Sequence, residues 1–221
     1  AEPWGIGIGP QGEVAVADTF GWRVRVFDAN LEFTGVEFGE PPTSPDDPSD
    51  EQLFGPRDIA FDAQGNMWVT DTGHARIQVF SASGEFVRSI GSRGDGPGEF
   101  DEPVGLAIAD DGTVFVADMY NRRVVMLNAD GSFRAAFAVE GWGGQEVTNK
   151  PYLEPLPDGR VAVGLPWTNE VRIYDRAGSV VGAIAPGDEP LESPYGLLHT
   201  ADAKLWVVEG GSGRVRLFPL P

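Results

Sequence analysis

Three features of the sequence predict an all-β fold, a β-propeller of four-stranded antiparallel blades. A four-strand unit at residues 103–137, PVGLAIADDGTVFVADMYNRRVVMLNADGSFRAAF, recurs along the chain. The second strand of each unit is apolar on both faces, as in residues 14–17, 67–69 and 114–117. No stretch has an amphipathic helical period of useful length. Both sheet faces must then be covered by neighbouring sheets, which a ring of blades packed face to face achieves.

The elements of the unit follow in order. VGLAIA is an apolar first strand ended by Asp110-Asp111-Gly112, a tight-turn signal. TVFVAD is the second strand, MYNR a polar-aromatic loop and RVVML the third strand. Asn128-Ala129-Asp130-Gly131 makes the next turn, and SFRAAF is the fourth strand. Strands joined this way form an antiparallel meander.

Five copies begin at Pro3, Pro56, Pro103, Pro151 and Pro194. They divide one domain, residues 1–221, into blades at about 3–55, 56–102, 103–150, 151–193 and 194–221. The fifth copy has no fourth strand before Pro221. The pattern P-x-G-[IL]-x-[IVL], then [VI]-x-[VT]-[DA]-D-x-x-[NH]-x-R-[VI], is clearest at residues 103–124, with Asp118, Asn121, Arg123 and Val124 in place. The second copy carries Asp71, His74, Arg76 and Ile77. This pattern, with the linker IGSRGDGPGEFDEPVGLA, resembles the NHL repeat family over nearly the whole chain. The resemblance implies a propeller, most often six-bladed, whose two chain ends complete a shared blade. Only two residues precede Pro3, too few for a closing strand. Five blades are therefore expected in this chain; a sixth lying outside it is the alternative.

Composition narrows the function classes. The net charge is -18, and only Lys150 and Lys204 are lysines. A phosphate backbone needs a basic patch, so nucleic acid is not an expected partner. Some animal NHL domains bind RNA through a basic face, a property this acidic chain does not inherit from the resemblance. No apolar run approaches the ~18 residues of a membrane helix, so membrane insertion by this chain is not expected. The chain opens on AEPWGIG without a secretory signal, as a mature form or an excised domain would. Cysteine is absent, which excludes thiol chemistry.

An acid and an arginine sit five residues apart across the loop between second and third strands. The pairs are Asp18/Arg23, Asp71/Arg76, Asp118/Arg123 and Glu209/Arg214. Strand ends across a hairpin are neighbours, so charge-assisted pairs bracing each blade are expected. In the fourth copy both members change together, to Leu165 and Glu170, as a partnership requires.

Those loops and the inter-blade linkers share one end of the ring. The long linkers at 39–55, 91–102, 141–150 and 186–193 gather there, whereas short turns make the other end plain. Long loops on a rigid scaffold are where binding usually sits. Phe20, Trp22, Tyr120 and Trp167 from the loops, with Trp142 from a linker, are the candidate ligand-binding residues. Rings beside acids suit a glycan, a cationic peptide or a protein partner; the alternative is that they fill gaps between blades. Arg93-Gly94-Asp95 lies inside the usual linker and reads as a chance tripeptide. No cofactor is expected. Calcium on the acids of PPTSPDDPSDE (41–51) is the exception to consider, and that segment lacks the spaced D-x-[DN]-x-[DN]-G loop.

Some propellers of this kind are zinc lyases that hold the metal with several histidines. Only His74 and His199 occur here, too few for a three-histidine zinc site. The sequence therefore favours a non-catalytic binding or scaffold propeller, either free-standing or one module of a larger surface protein. Its rival is a metal-dependent hydrolase or lyase with a site in the central channel.

Overall fold

The structure is a computed structural model that describes residues 2–41, 49–143, 151–184 and 189–221. The acidic proline-rich stretch over 42–48, the linker residues 144–150 and residues 185–188 lie outside the described residues. The fold is a β-propeller of five blades. Blade 1 holds β1 (Pro3–Ile8), β2 (Val14–Asp18), β3 (Arg23–Phe27) and β4 (Phe33–Phe38). Blade 2 holds β5 (Pro56–Phe61), β6 (Met67–Asp71), β7 (Arg76–Phe80) and β8 (Phe86–Ile90). Blade 3 holds β9 (Pro103–Ile108), β10 (Val114–Asp118), β11 (Arg123–Leu127) and β12 (Phe133–Ala138). Blade 4 holds β13 (Leu153–Pro155), β14 (Val161–Leu165), β15 (Glu170–Tyr174) and β16 (Val180–Ile184). Blade 5 has three strands, β17 (Pro194–Thr200), β18 (Lys204–Glu209) and β19 (Arg214–Pro219). Each strand pairs antiparallel with the next in sequence.

The double-sided apolar pattern of the second strands has a direct structural reading. Four residues before each repeated acid, the side chain packs on the preceding blade. Met67 meets blade 1, Val114 meets blade 2, Val161 meets blade 3 and Leu205 meets blade 4. Three residues before the acid, it packs on the following blade: Ala15, Trp68, Phe115 and Ala162. Alternation along a strand aims successive side chains at opposite faces, and here both faces are dry. Each fully buried Val, Leu or Phe contributes about 1.5–3 kcal/mol. Four such cores join blades 1–2, 2–3, 3–4 and 4–5; among the described residues none joins blade 5 to blade 1.

Turn chemistry repeats with one flaw. The turn between third and fourth strands ends on a left-handed residue, Gly84, Gly131 or Gly178 in blades 2 to 4. Blade 1 places Leu31 there, at φ 65° and 68% exposed. A left-handed L-residue costs about 1–2 kcal/mol, whereas glycine loses about 0.5–1 kcal/mol of extra chain entropy. The exposed side chain offers little packing in return. Leu31→Gly is expected to stabilise the fold by about 0.5–1 kcal/mol, read as a rise in the denaturation midpoint.

Candidate functional site

The loop-rich rim is built by the repeated acid–arginine pairs. Asp71 and Arg76 meet at 2.7 Å, Asp118 and Arg123 at 2.7 Å, Asp18 and Arg23 at 3.1 Å, and Glu209 and Arg214 at 3.3 Å. In three blades the acid also anchors the incoming linker by accepting a backbone N–H, from Phe54 to Asp71, from Asp101 to Asp118 and from Glu192 to Glu209. The arginine donates to carbonyls of the same linker: Arg76 to Ser49 and Gln52, Arg123 to Asp95, Gly96 and Glu99. Three residues past the acid, His74 Nδ1, Asn121 Nδ2 or Ser212 Oγ completes its shell. The motif is thus a clamp that fastens each linker over the next hairpin. Burial pushes the Asp118 carboxyl above its usual value against the opposing pull of Asn121, the Asp101 N–H and Arg123. The Arg93-Gly94-Asp95 tripeptide is held in this way too, with Arg93 paired to Asp101 at 2.8 Å.

Phe20, Tyr120 and Trp167 occupy equivalent positions, each two residues after the clamp position of its blade. Phe20 is 54% and Tyr120 45% exposed. Phe20 leans edge-on against Trp4, whose ring carries the Arg57 guanidinium 3.9 Å away. Glu102, then burial and Asp101, raise the Tyr120 phenol above its usual value, so this ring stands in an acidic surround. Trp167 is half-buried against the core between blades 3 and 4, and Trp22 sits edge-on to Phe54. Trp142 takes the gap-filling alternative. It is 2% exposed in that same core and donates its indole N–H to the Gly164 carbonyl at 3.0 Å. A linker tryptophan and a gap-filling tryptophan look alike in sequence; here the Trp142 ring turns inward.

The central channel holds groups that the sequence reading did not single out. The five innermost strands line a cavity of about 890 Å³ whose wall includes Trp4, Asp58, Tyr152, Glu154 and His199. Asp58 is buried, and its carboxylate oxygens accept the backbone N–H of Leu106 on blade 3 (2.8 Å) and of Ile59 (2.9 Å). Glu154 repeats the device, accepting the His199 N–H of blade 5 at 2.9 Å. Burial pushes Asp58 up to about 8 and raises Glu154 as well. Tyr152 reaches across the channel to donate to the Trp4 carbonyl at 2.8 Å. Among the described residues no three His, Asp or Glu side chains gather as a metal-binding group.

A family model described as a 6-bladed beta-propeller matches residues 48–140. Protein brain tumor of Drosophila melanogaster is 32% identical over 93 residues, 41% of this chain and 8% of that protein. The chain therefore spans a small part of that relative. Among solved structures, streptogramin B lyase superposes with a TM-score of 0.69 at 16% identity, over 99% of this chain and 69% of the lyase. Virginiamycin B lyase from Staphylococcus aureus gives 0.67 at 16%, over 99% and 70%. Nidogen, in its complex with laminin, gives 0.70 at 18%, over 99% and 76%. These structural likenesses are of fold, and the propeller architecture is common to all of them.

Proposed function

We propose that the protein is a non-catalytic NHL-type propeller whose clamp-built rim binds a basic segment of a peptide or protein partner. One observation carries this reading: Phe20 and Tyr120 stand exposed at equivalent rim positions, Tyr120 beside Asp101 and Glu102. Aromatic faces and nearby carboxylates together attract Lys and Arg side chains. The net charge of -18 adds long-range attraction. The rim rings rest on hairpins braced by acid–arginine pairs whose carboxylates are buried, so little order is lost on binding. The laminin complex of nidogen supports a protein partner for a propeller of this shape. The second reading, a lyase or hydrolase working in the channel, draws on the Glu154–His199 contact and on the lyase fold neighbours.

A peptide array graded in net charge tests the first reading. Basic, aromatic-tolerant peptides are expected to bind, and Phe20→Ala with Tyr120→Ala is expected to weaken them roughly tenfold or more. The double substitution leaves the net charge unchanged. Retained affinity in that variant would reduce the binding to unspecific charge attraction and reject the rim.

A further inference from the structure

The channel cavity of about 890 Å³ stands apart from the rim. Its lining includes Asp110 and Asp111 from the first turn of blade 3, and Pro157, Asp158 and Gly159 from the first turn of blade 4. No loop between second and third strands, and no linker, contributes a described residue to it. The cavity therefore reaches the short-turn end of the propeller, the end that the sequence pattern makes plain. Towards the rim a crossbar bounds it. The Tyr152 hydroxyl spans from blade 4 to the Trp4 carbonyl of blade 1 at 2.8 Å, and Arg57 lies over the Trp4 ring.

Two properties of the wall define what fits. Between the crossbar and the short turns it is apolar, with Ile59, Leu106, Ile108, Leu197 and Leu198. Besides His199 and two tyrosines, its ionisable groups are five carboxyls and one guanidinium. That guanidinium, Arg176, is already paired with Asp111 at 2.6 Å. Asp158 is held by Arg160 at 2.6 Å, and Asp58 by the Leu106 and Ile59 N–H groups. Glu154 is different. Its side chain is 17% exposed, and only Oε1 is engaged, by the His199 N–H at 2.9 Å and by His199 Nδ1 at 3.4 Å. Oε2 has no hydrogen-bond partner among the described residues. A carboxylate oxygen set in an apolar wall is best satisfied by a charged donor.

We infer that the cavity is a small-molecule site for an organic ammonium ion with an apolar body. The ammonium donates to Glu154 Oε2, and the body packs on Ile59, Leu106, Ile108 and Leu197. The volume is in the range of small-molecule pockets. A carboxylate ligand is disfavoured, because the one guanidinium of the wall is taken and the other charges repel it. An alcohol reaches the same oxygen with a bond about half as strong. This site shares no residue with the rim and does not depend on the peptide proposed to bind there.

Calorimetric titration of the 221-residue chain with butylammonium, hexylammonium, hexanol and hexanoate tests the inference. Hexylammonium is expected to bind roughly tenfold or more tightly than hexanol, and by about the same factor more tightly than butylammonium, which buries two fewer methylenes. Hexanoate is expected to bind most weakly. Glu154→Gln should abolish the preference for hexylammonium over hexanol while leaving hexanol affinity in place. Leu198→Lys, at a position 58% exposed, sets a competing ammonium in the wall without disturbing a core, and should weaken hexylammonium roughly tenfold. Phe20→Ala with Tyr120→Ala should leave hexylammonium binding unchanged, so the rim and the channel stand or fall separately. Equal affinity for hexylammonium and hexanol would overturn the inference. Equal affinity for the two ammonium ions would do the same, by reducing the binding to diffuse charge attraction. A preference retained in Glu154→Gln, or undiminished affinity in Leu198→Lys, would place the amine elsewhere and reject the site.

Discussion

Asp71→Ala is expected to destabilise the protein by about 3–5 kcal/mol, the cost of leaving a buried partner charge uncompensated. Its carboxylate is fully buried and serves four donors: the Phe54 N–H, His74 Nδ1, Arg76 Nε and Gln78 Nε2. Arg76 is only 5% exposed, so its guanidinium has no solvent to turn to. Asp18→Ala is the contrast. The Arg23 side chain is 38% exposed, and water replaces much of what the acid supplies, for a loss of about 1 kcal/mol. Urea denaturation of both variants checks the difference. A double-mutant cycle of Asp71→Ala with Arg76→Ala should cost less than the sum of its parts. Equal, small losses at both sites would mean that the clamp is not what fastens the linkers.

The clamp was readable because it repeats. Asp118 and Arg123 face each other across adjacent strands in every copy that keeps both, and Leu165 and Glu170 change together where it is lost. The apolar second strands were readable for the same reason, since no helix was available to cover Phe115 on one side and Val116 on the other. What escaped was whatever breaks the repeat without changing its hydropathy. Trp142 belongs to a linker, and nothing in its neighbours says whether the linker turns in or out. Asp58 left a signal that pattern reading passed over. It stands two residues after the repeat's proline, where copies 1, 3 and 5 have Gly5, Gly105 and Gly196. A Cβ on Gly5 would lie 2.4 Å from the Arg57 carbonyl oxygen, and one on Gly105 would lie 2.7 Å from that of Pro151. The innermost strands crowd each other at this level. An acid where sister repeats require glycine marks a place where blade 2 bonds to its neighbour differently, with Asp58 accepting the Leu106 N–H of blade 3.

That acid gives the chain its largest expected pH response. Burial raises the Asp58 carboxyl from 3.8 to about 8, and the N–H groups of Leu106 and Ile59 offset only part of the shift. The folded state therefore holds a proton that the unfolded chain releases near pH 4. Stability from this group is whole below the unfolded value and falls as pH climbs toward 8, by about 1.4 kcal/mol per pH unit. The whole interval is worth up to about 6 kcal/mol. Glu154, also raised by burial, adds a loss of the same sign. Carboxylates held low, such as Asp111 at about 2, act the other way and only in acid. Arg57 adjoins Asp58 in sequence but spends its charge on the Trp4 ring and towards Glu102. Asp58→Asn cannot ionise, so its stability should stay nearly level where the wild type declines. The amide also sets an N–H donor against a backbone N–H, which lowers its curve at every pH without tilting it. Denaturant midpoints from pH 5 to 9 separate these effects, because the prediction concerns slope and not height. Parallel curves for the two proteins would show that Asp58 is already ionised in the folded channel, with the two backbone N–H groups sufficient to hold its charge.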